Sequence, residues 1–143
     1  MNQALQSLNV DVAALAWQPG SPWYGAGAVF EGREVIEIKQ LSDRRADGGG
    51  VAYLLHFMPP PGKLIKVVAI ARSDEHIVTL EGGRGTKSGD KLRMQGQYGL
   101  NPNGKPHSAM ISTDTTALVI YTGERDEVLS TEVLDLAPGA AAA

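Results

Sequence analysis

Pro59-Pro60-Pro61-Gly62 stands between two apolar runs, VAYLLHFM before it and KLIKVVAIAR after it. Proline fixes its own φ and has no N–H to give to a ladder, so no regular element can run through this tetrapeptide. The two runs are rich in Val, Ile, Leu and aromatic residues, and each has the length of a single strand. Further short segments of the same kind follow, at residues 76–81, 91–95, 97–100, 108–112 and 116–122. An earlier one, residues 33–41, alternates Ile36 and Ile38 against Glu37 and Lys39, although Val35 and Leu41 interrupt its polar face. Gly, Pro and Asn turns separate these segments, while Asp43 to Gly50 is a polar turn expected to be mobile. No segment has the sustained period of a long helix. Many short strands with such punctuation predict an all-β barrel or sandwich.

The chain's 143 residues suit one domain, and with 43% hydrophobic residues it can fill one core. There are no cysteines, which excludes disulfides and thiolate metal sites. The net charge is −3, from 13 basic and 16 acidic residues, with no basic run or aromatic series to track a nucleic acid. No apolar run reaches the roughly 18 residues of a membrane span, and MNQALQSLNVDV lacks the features of a secretory signal. A cytoplasmic protein without nucleic-acid or membrane partners is the expectation. Residues 1–27 read as an N-terminal arm, 28–136 as the barrel, and 137–143 as a flexible tail. Residues 2–16 fit neither a helical nor a strand period cleanly. The glycine-rich stretch 82–89 lacks the order of a phosphate-binding loop and has no helix after it.

Two spacings narrow the fold. Gly62, Val68, Ile70, Glu75 and Gly82 stand at the intervals Gly-x5-His-x-His-x4-Glu-x6-Gly, with Val68 and Ile70 where the histidines would be. Gly96, Pro102, Gly104 and His107 stand at Gly-x5-Pro-x-Gly-x2-His, and Ile111 replaces the asparagine that would end it. Together these resemble the two motifs of the cupin superfamily. The flanks Trp17-Gln18-Pro19-Gly20-Ser21-Pro22, Pro60-Pro61-Gly62 and Thr79-Leu80-Glu81-Gly82 resemble single-domain cupins related to ChrR and to the acetylacetone and dihydroxyacetophenone dioxygenases. The likeness covers roughly residues 15–125. It implies a small cupin-type β-barrel, a homodimer, and an arm at residues 17–30 that crosses to a partner and covers sheet edges.

The resemblance also implies a site. Alternation puts Lys66, Val68, Ile70 and Arg72 on one strand face, and the family places the Val68 and Ile70 positions inside the barrel. In the family those positions hold a metal together with Glu75 and His107. Val and Ile have no lone pair to give, and two protein ligands hold a divalent metal poorly against the usual three. No cofactor is therefore expected. Glu75 and His107, in a cavity dried by apolar neighbours, become a general acid/base pair for a small carbonyl or phenolic substrate. The corresponding activity is that of an isomerase, cyclase or lyase. The expected substrate-binding set is Lys66, Val68, Ile70, Arg72, Tyr53, Phe57 and Tyr98. The ordinary alternatives are ion pairs of Glu75 with Arg72 or Lys66, and a backbone hydrogen bond for His107. A bulge could turn His76 inward, so that Glu75, His76 and His107 hold iron, zinc, nickel or manganese and the protein is a dioxygenase. A non-catalytic ligand-binding or regulatory cupin is the third reading. His56 is expected to be a satisfied core or interface histidine.

Overall fold

The computed structural model describes residues 6–85 and 91–136. The expected tail at 137–143 lies outside them. The strands are β1 (Gln18–Pro19), β2 (Val29–Phe30), β3 (Arg33–Glu34), β4 (Ile36–Asp43), β5 (Val51–Phe57), β6 (Lys63–Ile70) and β7 (Glu75–Glu81). They continue with β8 (Arg84–Gly85), β9 (Lys91–Leu92), β10 (Tyr98–Asn101), β11 (Pro106–Ile111), β12 (Thr115–Tyr121) and β13 (Glu127–Asp135). One short helix, α1 (Ser21–Tyr24), lies in the arm. The six-stranded sheet runs β1-β4-β5-β12-β7-β10 and the five-stranded sheet β13-β6-β11-β8-β9, all pairs antiparallel. Their inner faces meet in one core, with Ile36, Tyr53, Phe57 and Val119 from the first sheet and Ile65, Val67 and Ile111 from the second. This is the expected all-β jelly roll. No helix among the described residues is long and apolar enough to cross a membrane.

β13 is additional to the strands expected from the sequence. It pairs with β6 along nearly its whole length, from Glu127↔Ile70 to Asp135↔Lys63. Its EVLSTEVLD sequence buries only Thr131 fully, so the alternation that reveals other strands is weak here.

The inner face of β6 differs from the expected one. Ile65, Val67 and Ala69 point into the core, whereas Lys66, Val68 and Ile70 are only half-buried. A register shift of one residue moves every side chain to the other face. The sequence holds the physical reason. An inward Lys66 and Arg72 would bury two cations, while Ile65, Val67, Ala69 and Ala71 cost nothing to bury.

Residues 17–28 pack on the chain's own barrel. Tyr24 and Ala28 join the core, and Thr131 Oγ1 of β13 donates to the Tyr24 carbonyl at 2.7 Å. Gly27 makes this fit close, because a Cβ there would lie 1.7 Å from the Thr131 carbonyl oxygen. Gly27→Ala is expected to cost about 1–3 kcal/mol, as other overpacking substitutions do. Urea unfolding checks this, and an unchanged midpoint would mean that the arm is not seated on β13. The polar turn after β4 is held too, because Arg45 bonds Asp43 at 2.7 Å and Glu124 at 2.5 Å.

Candidate functional site

β7 begins at Glu75, and alternation points Glu75, Ile77 and Thr79 inward. The Glu75 carboxyl is 5% exposed inside an otherwise apolar barrel. Its Oε1 accepts from Asn101 Nδ2 at 2.7 Å and its Oε2 from Tyr121 OH at 2.8 Å. The Tyr121 hydroxyl lies 3.1 Å from that of Tyr53, which lies 3.0 Å from that of Tyr24. Three buried phenols thus form a chain ending on the carboxylate. Burial raises the Glu75 pKa above its ordinary value and the nearby Asp126 raises it further, while the bonds from Asn101 and Tyr121 and the charge of His107 oppose the rise. Burial also raises the pKa of Tyr24, Tyr53 and Tyr121.

β11 supplies His107, paired with Ala69 on β6. Its Nε2 lies 3.8 Å from Glu75 Oε1 and 2.8 Å from Asp126 Oδ2. The second approach lies off the ring N–H direction, so Nε2 has no hydrogen-bond partner among the described residues, and neither has the buried Asp126 Oδ1. Asp126 immediately precedes β13. The loop carrying it is held by the arm, where the Arg125 guanidinium lies 3.9 Å over the Trp23 ring and Trp23 meets Tyr53 edge-on at 4.9 Å.

A neighbouring arginine sets the proton positions. Arg93 Nη2 donates to Asn101 Oδ1 at 3.1 Å. Arginine only donates, so the amide oxygen must face it and Nδ2 must face Glu75 and His107. That amide nitrogen stands 3.4 Å from His107 Nδ1. Nδ1 is then the acceptor, and the neutral ring carries its proton on Nε2, beside the two carboxyl groups.

The carboxyl and imidazole open onto a cavity of about 70 Å³, walled chiefly by Phe57, Val67, Ala69, Ile77, Ala109 and Val119. Phe57 is therefore where it was expected, while Tyr53 acts through the hydroxyl chain and is not a wall residue. The remaining expected positions lie outside the inner cavity. Val68 and Lys66 line an open groove instead, and Ile70 lies on the outer face of β6. The apolar wall beside Glu75 is made by Val67 and Ala69. Arg72 bonds Glu127 at 2.6 Å near the surface. Tyr98 is 57% exposed and receives His76, with 2.6 Å between Nδ1 and the hydroxyl. His76 follows Glu75 in a regular strand and faces outward, so the set Glu75, His76 and His107 does not assemble. His56 is satisfied as expected, by Glu37 at 2.8 Å.

The carboxylates of Glu75 and Asp126 and a nitrogen of His107 could instead hold a metal ion, since three such atoms lie within 4.8 Å of one another. Three oxygen and nitrogen donors suit a divalent cation. Nε2 would have to give up its proton to serve as a ligand.

No protein-family model and no curated protein matches the chain. Solved structures do. A protein of unknown function with a cupin-like fold from Ralstonia eutropha superposes with TM-score 0.63 at 19% identity, covering 87% of this chain and 77% of that one. KdgF from Halomonas gives 0.59 at 14% identity, covering 84% and 96%. The polyketide cyclase RemF from Streptomyces resistomycificus gives 0.58 at 18% identity, covering 92% and 88%. These likenesses carry the fold alone and not the ChrR-like or dioxygenase subtype: two antiparallel sheets closed over Glu75 and His107 give this chain a cupin-like fold.

Proposed function

We propose that the chain is a small-molecule enzyme that moves protons on a carbonyl or phenolic substrate, as an isomerase, cyclase or lyase does. The observation that carries this reading is the pair of buried polar atoms without a partner among the described residues, His107 Nε2 and Asp126 Oδ1, beside the buried carboxyl of Glu75 on a cavity with mostly apolar walls. A buried polar atom without a partner costs about 1–3 kcal/mol, and sites that bind a reacting group retain such atoms for it. RemF, which shares the fold, is a cyclase. That agrees with the reading without carrying it.

Ionised Glu75 takes a proton from the carbon next to the carbonyl. His107 Nε2–H donates a hydrogen bond to the carbonyl oxygen and stabilises the enolate that forms. Return of the Glu75 proton to another atom completes an isomerisation or sets up ring closure. The raised pKa of Glu75 serves both halves, since a carboxylate that holds its proton more tightly is the stronger base. A second reading rests on the donor set. Glu75, His107 and Asp126 would hold a divalent cation, which would supply Lewis-acid polarisation of a carbonyl oxygen.

Protein dialysed against a chelator is expected to catalyse exchange of carbon-bound hydrogen for deuterium in an enolisable carbonyl compound, followed by NMR in D2O. Exchange that appears only after a divalent metal is restored would replace the first reading with the second. The outer face of the six-stranded sheet exposes Leu80, Tyr98, Leu100 and Ile120. Those side chains suit the second copy of the chain that a homodimer would bring.

A further inference from the structure

The mouth of the cavity carries two arginines that the proton chemistry does not use. Arg84 on β8 and Arg93 after β9 line both the inner cavity and an outer groove of about 600 Å³. Arg84 Nη1 donates to the Ser108 carbonyl at 3.0 Å, and Arg93 Nη2 to Asn101. Arg84 Nε and Arg93 Nη1 are buried without a partner among the described residues. Lys66 and Lys105 join them in the groove wall, which contains no carboxylate among the described residues. Burial and the repulsion of Arg93 lower the Arg84 pKa to about 10, so two guanidinium groups are held together here at a cost that an anion would relieve. Guanidinium groups pair with carboxylates by parallel charge-assisted hydrogen bonds.

We propose that Arg84 and Arg93 form the anion subsite of this protein and that its substrate is a short carboxylate bearing a carbonyl group. The charged end rests at the mouth on the two guanidinium groups, and the carbonyl end enters the cavity. The size fits: about 70 Å³ is well below the roughly 150 Å³ of a protein cavity that holds benzene, so only a chain of a few carbons goes in. Arg93 joins the two ends, because it also fixes the Asn101 amide that touches Glu75 and His107. The proposal rests on the acid–base reading for what happens to the substrate, but not for where its charge binds.

Calorimetry with propionate and its neutral isostere propionamide tests the subsite without any turnover. Propionate is expected to bind saturably and propionamide not to. Arg84→Gln and Arg93→Gln are each expected to weaken propionate binding by roughly tenfold or more, the scale of a hydrogen bond to a charged group. Arg93→Lys should lose less, since charge remains while the planar fork is gone. Near-UV circular dichroism establishes that each variant is folded. If Arg93→Gln is not, Arg84→Gln decides, because the Arg84 guanidinium bonds only to a carbonyl oxygen among the described residues. Equal binding of propionamide, no saturable binding of propionate, or binding indifferent to Arg84→Gln would overturn the proposal. Propionate binding that depends on the arginines in a protein that exchanges no deuterium would leave the subsite standing and remove the acid–base reading. Exchange with propionate binding indifferent to the arginines would do the reverse.

Discussion

Glu75→Gln is expected to stop proton transfer and, at neutral pH, to make the protein more stable. A positioned acid or base contributes roughly 10²–10⁴-fold to rate, and exchange should fall by that factor. The amide keeps the shape of the carboxyl. Its oxygen can accept from Asn101, and its N–H can donate to the Tyr121 oxygen. The stability effect follows from linkage. Burial raises the folded pKa of Glu75 above the ordinary 4.5, so the folded state holds a proton that the unfolded state has released. Below pH 4.5 both states are protonated, and the wild-type stability from this group is fully present. It falls as the pH rises from 4.5 through the folded pKa, and stays low above it. Glutamine has no proton to lose. The variant's advantage in urea midpoint should therefore grow across that window and level off above it. Undiminished exchange, or a neutral-pH midpoint at or below wild type, would contradict the role given to Glu75.

Tyr121→Phe should shift the pH dependence rather than abolish activity. The Tyr121 hydroxyl donates to Glu75 Oε2 and holds the carboxyl's pKa down against burial. Without it the pKa rises further, and the limb of the exchange-rate profile that reports ionised Glu75 moves to higher pH. The Tyr53 hydroxyl loses a partner 3.1 Å away, in a place where an unsatisfied buried group costs about 1–3 kcal/mol. The variant should thus be less stable, whereas Glu75→Gln is more stable. A profile that stays in place would show that the phenol does not act on the carboxyl.

The fold was legible because its signals are local. Gly62, Gly82, Gly96 and Gly104 are the motif glycines, and all take φ between 74° and 88°. Side chains rarely adopt that conformation, so glycine at these four turns fixes the motif intervals whatever stands at Val68 and Ile70. Glu75 and His107 were legible for the same reason, since each lies a fixed distance from such a turn. The inner face of β6 was misjudged because the family's spacing outweighed the charges of Lys66 and Arg72. Asp126 was not legible. It belongs to no motif, and Trp23, more than a hundred residues earlier in the chain, holds the loop that brings it to His107. Arg84 and Arg93 are not legible for a related reason: Arg84 stands in the glycine-rich stretch 82–89, which lacks phosphate-loop order, and Arg93 belongs to no motif.

The tyrosine chain adds a consequence for the arm. With Glu75 ionised, Tyr121 must donate to it, so Tyr53 donates to Tyr121 and Tyr24 to Tyr53. A proton taken up on Glu75 Oε2 would point at the Tyr121 oxygen, and the hydroxyls down the line would then turn around. Hydrogen bonds in such a series polarise one another, which couples the orientations of the three hydroxyls. The direction of three hydrogens, ending at the helix Ser21–Tyr24, is thus a record of whether the acid at the other end carries charge.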